Sequence, residues 1–178
     1  MNSFLEVITN TEKNCLDATC AGRKCKVSTD GLKVDFTGTG IVLAKEGFKK
    51  GVHHWEVVVH FIECESYLGI SLKPPQNLDG ALYQQTTGFC VIGTQSDDND
   101  GKKACHANQK FESTQCFKQG DHVSFTLDCD HSVLEYFING IKIKDLTFGG
   151  NLAKFKDQLL YPAFSSYYSS QLTITFID

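Results

Sequence analysis

An all-β fold rich in turns is what this sequence of 178 residues predicts, and three observations carry the expectation. The first is composition: thirteen Phe, six Tyr and fifteen Gly stand against a single Met, a bias toward strand and turn formers over the Leu, Ala and Glu of helix bundles. The second is the stretch 119–140, where two alternating runs are joined by a polar turn and closed by Asn139-Gly140. The third is the return of the same alternation near the end of the chain, with Leu172, Ile174 and Phe176 set between Thr173 and Thr175. A chain of this length suits one domain with a full core and falls short of two.

Taken in order, residues 4–8 are expected as a short edge strand and 15–26 as loop. Thr29-Asp30-Gly31 is a turn, and Leu32, Val34 and Phe36 follow it in strand alternation. Thr37-Gly38-Thr39-Gly40 breaks the pairing as a tight loop or bulge, after which 41–43 returns to strand. Residues 47–51 turn the chain into Trp55, Val57 and Val59, an apolar face opposite His54, Glu56 and Val58. The single Trp is therefore expected in the core as a large apolar anchor. After the strand at 68–71, a proline-bearing loop occupies 73–80 and Ala81-Leu82-Tyr83 leads out of it. A strand at 88–92 precedes 95–103, a polar, charged and solvated loop.

Within 119–140, Val123, Phe125 and Leu127 alternate with Ser124 and Thr126. Residues 128–132 supply short polar side chains that hydrogen-bond their own backbone in a turn. Leu134, Tyr136 and Ile138 resume the alternation, and Asn139-Gly140, both tolerant of positive φ, favours a two-residue turn into a third strand at 141–144. The final strand closes the sheet.

Charge and motifs exclude several functions. A net charge of −4 provides no basic field for phosphate backbones, so nucleic acid is not an expected partner. The first ten residues lack a secretory signal, Asn2 excludes N-myristoylation, and no apolar run approaches the roughly eighteen residues of a membrane span. The expectation is a soluble, cytoplasmic monomer with no membrane partner. The eight cysteines lack paired spacing and no N-x-[ST] sequon occurs, so they are read as reduced thiols. Placing Gly101 at the sixth position of a calcium loop puts Ser96 first and Ala107 twelfth, where carboxylates are required. Cys15, Cys20 and Cys25 miss the two-to-four-residue spacing of zinc ligands. Cys105-His106 and His53-His54 are strand neighbours that point to opposite faces, which suits no catalytic pair. Without a nucleophile elbow, phosphate-cradling loop or metal motif, neither enzyme activity nor a cofactor is expected.

Five phrases in order resemble the SPRY domain family. GVHHWEV at 51–57 matches its "GxhyWEv", LGIS at 68–71 its "vGvs", and LYPAFS at 160–165 its "lyPavs". Gly120-Asp121, Leu127-Asp128 and LEYFING at 134–140 match "GDxVxxxLD…LxFxxNG". His53 and His54 fall on the family's "hy" positions, which implies a structural role, while 95–117 lacks the family's aromatic-rich strand. The resemblance covers 28–178, with 1–27 as an extension packed on the same single domain. It implies a two-sheet antiparallel β-sandwich with little helix, acting as a non-catalytic module that binds a short peptide segment of a partner protein through loops at one end. Such domains often serve in substrate recognition for ubiquitin ligases or as scaffolds. The family's loops map to Thr37, Gly38 and Thr39, to Tyr83, and to Tyr167 and Tyr168. Tyrosine gives large contact area with a polar tip at little entropic cost. A carbohydrate-binding sandwich is the alternative, because lectins share the architecture and also use aromatic loops.

Reduced, metal-free cysteines predict that neither dithiothreitol nor EDTA shifts the melting temperature. A fall in reductant would reveal a structural disulfide, and a fall in chelator a metal.

Overall fold

The alternation read at 55–59, 123–127 and 134–138 appears as three neighbouring strands in a computed structural model, which describes residues 13–73, 75–94, 102–106, 109–112, 115–143 and 151–177. In chain order the first strands are β1 Leu16–Ala21, β2 Cys25–Val27, β3 Lys33–Thr37, β4 Gly40–Ala44, β5 Val52–Ile62, β6 Glu65–Ser71 and β7 Gly88–Thr94. They are followed by β8 Lys102–His106, β9 Gln109–Glu112, β10 His122–Asp128, β11 Val133–Ile138, β12 Ile141–Lys142, β13 Tyr161–Ser166 and β14 Ser169–Ile177. Two seven-stranded sheets result, ordered β1-β4-β13-β6-β7-β8-β9 and β12-β11-β10-β5-β14-β3-β2, with antiparallel pairing between the strands. Short 3-10 helices at Leu82–Gln84 and Asn151–Phe155 are the helical elements among the described residues, and neither is long enough to cross a membrane. This is the two-sheet antiparallel sandwich that the resemblance implies.

Register places four aromatic side chains in one row of the core. Phe176 on β14 pairs with Trp55 on β5, Trp55 with Phe125 on β10, and Phe125 with Tyr136 on β11. Trp55 stacks on Phe125 at 5.2 Å between centroids and Phe125 on Tyr136 at 6.3 Å, and such cross-strand pairs stabilise a sheet beyond simple burial. The Tyr136 hydroxyl donates to the Gln115 carbonyl at 3.1 Å, so its polar tip is satisfied. Trp55 is fully buried, as expected, although its indole N–H meets no acceptor among the described residues.

The two sheets differ on their outer faces. The β12-to-β2 sheet leaves that face in water, which is why β10 and β14 alternate between buried and half-exposed or exposed residues. The other sheet is covered by the connection 72–87: Leu78, Ala81, Leu82 and Tyr83 pack on Ile41, Leu43, Tyr67, Cys90, Ile92 and Ala163. Hydrogen bonds fasten that cover, among them Leu82 N to Ser165 Oγ at 3.0 Å and Ile41 N to the Leu78 carbonyl at 2.8 Å. Strands β4 and β7 are consequently buried throughout and read as apolar runs without alternation. At Gly69 on β6 a Cβ would sit 1.9 Å from the Phe89 carbonyl oxygen, so the close approach to β7 requires glycine.

Several turns match their sequence. Asn139 and Gly140 take φ of 51° and 78°, and the Asp128 carboxylate accepts the His131 backbone N–H at 3.0 Å. Other expectations are corrected. Residues 15–26 form β1 and β2 rather than loop, because Leu16 and Cys20 bury while a register shift between Leu16 and Ala21 disrupts the alternation that would have marked a strand. The segment after Ala81 is a 3-10 helix, and Lys102 and Lys103 begin β8 rather than extending a loop. The strand expected over 141–144 spans Ile141 and Lys142, with Lys144 outside the described residues, as are 4–8 and 95–101.

Because Trp55 sits mid-row with neighbours on both sides, Trp55→Ala should destabilise the protein by about 3–5 kcal/mol in denaturant unfolding. Trp55→Phe should cost clearly less, since it keeps a ring in the row and removes the unpaired N–H. Unchanged midpoints for both variants would contradict this packing.

Candidate functional site

At one end of the sandwich the chain passes from β13 to β14, and therefore from one sheet to the other, through two residues, Tyr167 and Tyr168. Hydrogen bonds hold this turn from both sides. Tyr167 N donates to the Glu65 carbonyl at 3.0 Å and Thr39 Oγ1 donates to the Tyr167 carbonyl at 2.9 Å. Ser169 exchanges bonds with Glu63, its carbonyl accepting Glu63 N at 2.9 Å and its N–H donating to the Glu63 carboxylate at 3.1 Å. Beneath the turn the buried hydroxyls of Ser66 and Ser166 lie 3.2 Å apart, and Ser166 Oγ also donates to the Glu65 carbonyl. With the backbone so fixed, the tyrosine side chains project outward at 39% and 46% exposure, their rings 5.3 Å apart and inclined at 58°.

The connection between β3 and β4 borders the turn. Thr37, exposed, pairs with Ser169, while Gly38 and Thr39 are half-exposed. Thr37 N and Oγ1 both donate to the Lys24 carbonyl, which draws in the connection between β1 and β2. There Arg23 meets Asp79 of the covering segment: the carboxylate accepts Arg23 N at 2.7 Å and Nε at 2.8 Å. Arg23, Lys24, Thr39 and Asp79 line an open groove of about 530 Å³.

Thr37, Gly38, Thr39, Tyr167 and Tyr168 thus share one end of the molecule. Tyr83 stands at its shoulder, half-buried in the second apolar cluster with its ring 4.8 Å from that of Tyr67. Tyr67 in turn donates to the Glu65 carboxylate, which links Tyr83 to the strand that anchors the turn. Arg23 and Lys24 are residues that the sequence reading passed over. The signal available was an Arg-Lys pair beside Gly22 in a polar stretch, with nothing to place it near Thr39.

Electrostatics at this end follow from the same contacts. The backbone N–H of Arg23, then its side chain, holds the Asp79 carboxyl below its ordinary value. The Ser169 side chain and N–H do the same for Glu63. Burial pushes the Cys25 thiol up to about 12, and burial with the neighbouring Glu65 and Glu63 raises exposed Cys64. Cys15, Cys20, Cys25, Cys64 and Cys129 carry free thiols, and no group of three or more metal-ligating side chains gathers among the described residues. His53 lies away from this end, stacked 3.8 Å from Phe48 with Nε2 2.7 Å from the Lys50 carbonyl. The run 97–101 and the side chains of Cys105 and His106 lie outside the described residues.

The family model for the SPRY domain matches residues 52–178, well over half of the chain. The chain belongs to the SPRY domain family. Solved structures share the fold at low identity. The SPRY domain of human HERC1 aligns with a TM-score of 0.64 at 18% identity, over 92% of this chain and 98% of that one. The TRIM65 PSpry domain aligns with a TM-score of 0.67 at 17% identity, over 92% of each chain. Stonustoxin aligns with a TM-score of 0.65 at 15% identity, over 92% of this chain and 27% of its own. No curated protein matches. SPRY domains are generally protein-interaction modules, and the loop end described above is where this one combines exposed aromatic and charged side chains on a fixed backbone.

The Asp79 contact predicts a pH dependence. A carboxyl whose folded value is depressed keeps its interaction above the ordinary 3.8 and loses it as pH falls through the lower folded value. An NMR titration should place the Asp79 midpoint below 3.8 in the native protein and move it partway back in Arg23→Ala, which leaves the backbone donor in place. An identical midpoint in the variant would remove the side chain from the account.

Proposed function

We propose that this SPRY domain is a non-catalytic recognition module that binds a short segment of a partner protein across Tyr167 and Tyr168. Thr37, Gly38 and Thr39 form the adjoining wall and Tyr83 the shoulder. The observation that carries this reading is the presentation of two exposed tyrosines on a two-residue turn bonded to Glu65, Thr39 and Glu63. The other four tyrosines, Tyr67, Tyr83, Tyr136 and Tyr161, are buried or half-buried in packing roles. An aromatic pair whose backbone is already ordered loses little entropy on binding, so most of its contact area is available as affinity. A module of this kind fits a substrate-recognition or scaffold role in the cytoplasm, acting as a monomer.

The test begins with affinity purification and mass spectrometry to obtain the partner, followed by calorimetry and thermal melting on Tyr167→Ala and Tyr168→Ala. Each truncation should weaken binding by about 1–2 kcal/mol or more while changing stability by less than about 1 kcal/mol. A large melting loss with unaltered affinity of the folded fraction would sink the proposed face. Specific capture of a sugar on a glycan array, lost in the same variants, would replace the peptide by a carbohydrate.

A further inference from the structure

The groove beside the tyrosine turn carries a charge opposite to that of the whole protein. The chain has a net charge of −4, yet among the described residues two cations, Arg23 and Lys24, line this groove against one anion, Asp79. Asp79 is itself committed. One carboxylate oxygen accepts Arg23 N and the other accepts Nε, while its own N–H is tied to Asn77 Oδ1 at 3.0 Å. This contact orients the guanidinium through Nε and leaves its two terminal amino groups, which make a fork matched to a carboxylate. The Arg23 side chain is 87% exposed, so a ligand reaches that fork without displacing protein. Lys24, also exposed, runs past Gly38, with its stem within van der Waals reach of that position. Thr39 joins the two features, since it lines the groove and bonds the Tyr167 carbonyl.

From this arrangement we infer that the segment bound by the domain is acidic, with an Asp or Glu carboxylate docking on Arg23 and Lys24 while a neighbouring apolar side chain covers Tyr167 and Tyr168. The inference rests on the peptide-binding reading and adds the chemistry of the partner. The excess of one cation in the groove's described lining favours a carboxylate at this point, although the Glu63 and Glu65 carboxylates stand by the same turn. Both cations are exposed, so the attraction is screened as salt rises.

The probe is a random dodecapeptide display library panned on the wild-type protein, with the selected peptides re-measured on variants that melt as the wild type does. Peptides whose binding is lost in Tyr167→Ala should be enriched in Asp or Glu at one position. Their affinity should fall about tenfold or more in Arg23→Gln, and further when Lys24→Glu is added. Arg23→Lys should restore only part of the loss, because a compact ammonium lacks the fork. Binding should also weaken between low and high sodium chloride. Tyrosine-dependent peptides that show no acidic enrichment and ignore Arg23→Gln overturn this inference and leave the peptide-binding reading standing. A library that yields no tyrosine-dependent peptide overturns that reading and this inference with it.

Discussion

The aromatic row Phe176, Trp55, Phe125 and Tyr136 is the contact on which the rest of the structure depends. These residues lie on four adjacent strands and face the same side of one sheet, so they fix the relative register of β14, β5, β10 and β11 at once. A one-residue slip in any of these strands would turn its aromatic to water, and in β5 and β10 it would bring His54 or Glu56, and Ser124 or Thr126, toward the core. Register in turn decides where strands end. With β14 fixed against β5 and β3, the start of β14 falls beside Glu63 and Thr37, and the two-residue crossing from β13 falls beside Glu65 and Thr39. The exposed tyrosines are therefore positioned by a core whose centre lies several strand residues away.

The second constraint is the cover over the other sheet. The connection 72–87 buries its apolar residues on the outer face of β4, β13, β6 and β7, and in doing so carries Asp79 to Arg23 and Leu78 to Ile41. The groove at the loop end exists because this segment is packed rather than free. One sheet therefore supplies the register and the other the charged wall, and the two meet at the tyrosine turn. Each loop at this end is bonded to at least one other, an arrangement suited to recognition with little rearrangement.

Legibility in the sequence followed the physics of each element. Strands of the open-faced sheet were readable because one face is wet: Val123, Phe125 and Leu127, or Leu172, Ile174 and Phe176, alternate with polar residues as water on one side demands. The turn at Asn139-Gly140 was readable because positive φ restricts the residues that fit. β1 was not, since its register shift breaks the alternation and only Leu16 and Cys20 turn inward. At the candidate site, Thr37, Thr39, Tyr167 and Tyr168 were named from family phrases and local pattern. Arg23 and Lys24 were not, because their place beside Thr39 depends on contacts between residues far apart in the chain, Arg23 with Asp79 and Lys24 with Thr37. Tyr83 shows the opposite limit: a loop tyrosine by sequence becomes half-buried once the covering segment folds onto Tyr67.

The central claim is that a rigid scaffold presents Tyr167 and Tyr168, already ordered, to a partner segment. The most direct measurement is a crystal structure of the domain bound to that segment, compared with the unbound fold. The account predicts that both tyrosines lose most of their exposed area to the ligand while the backbone of 37–40 and 166–170 moves by no more than about 1 Å. A segment seated on the open outer face of the β12-to-β2 sheet, or a tyrosine turn rebuilt on binding, would contradict it.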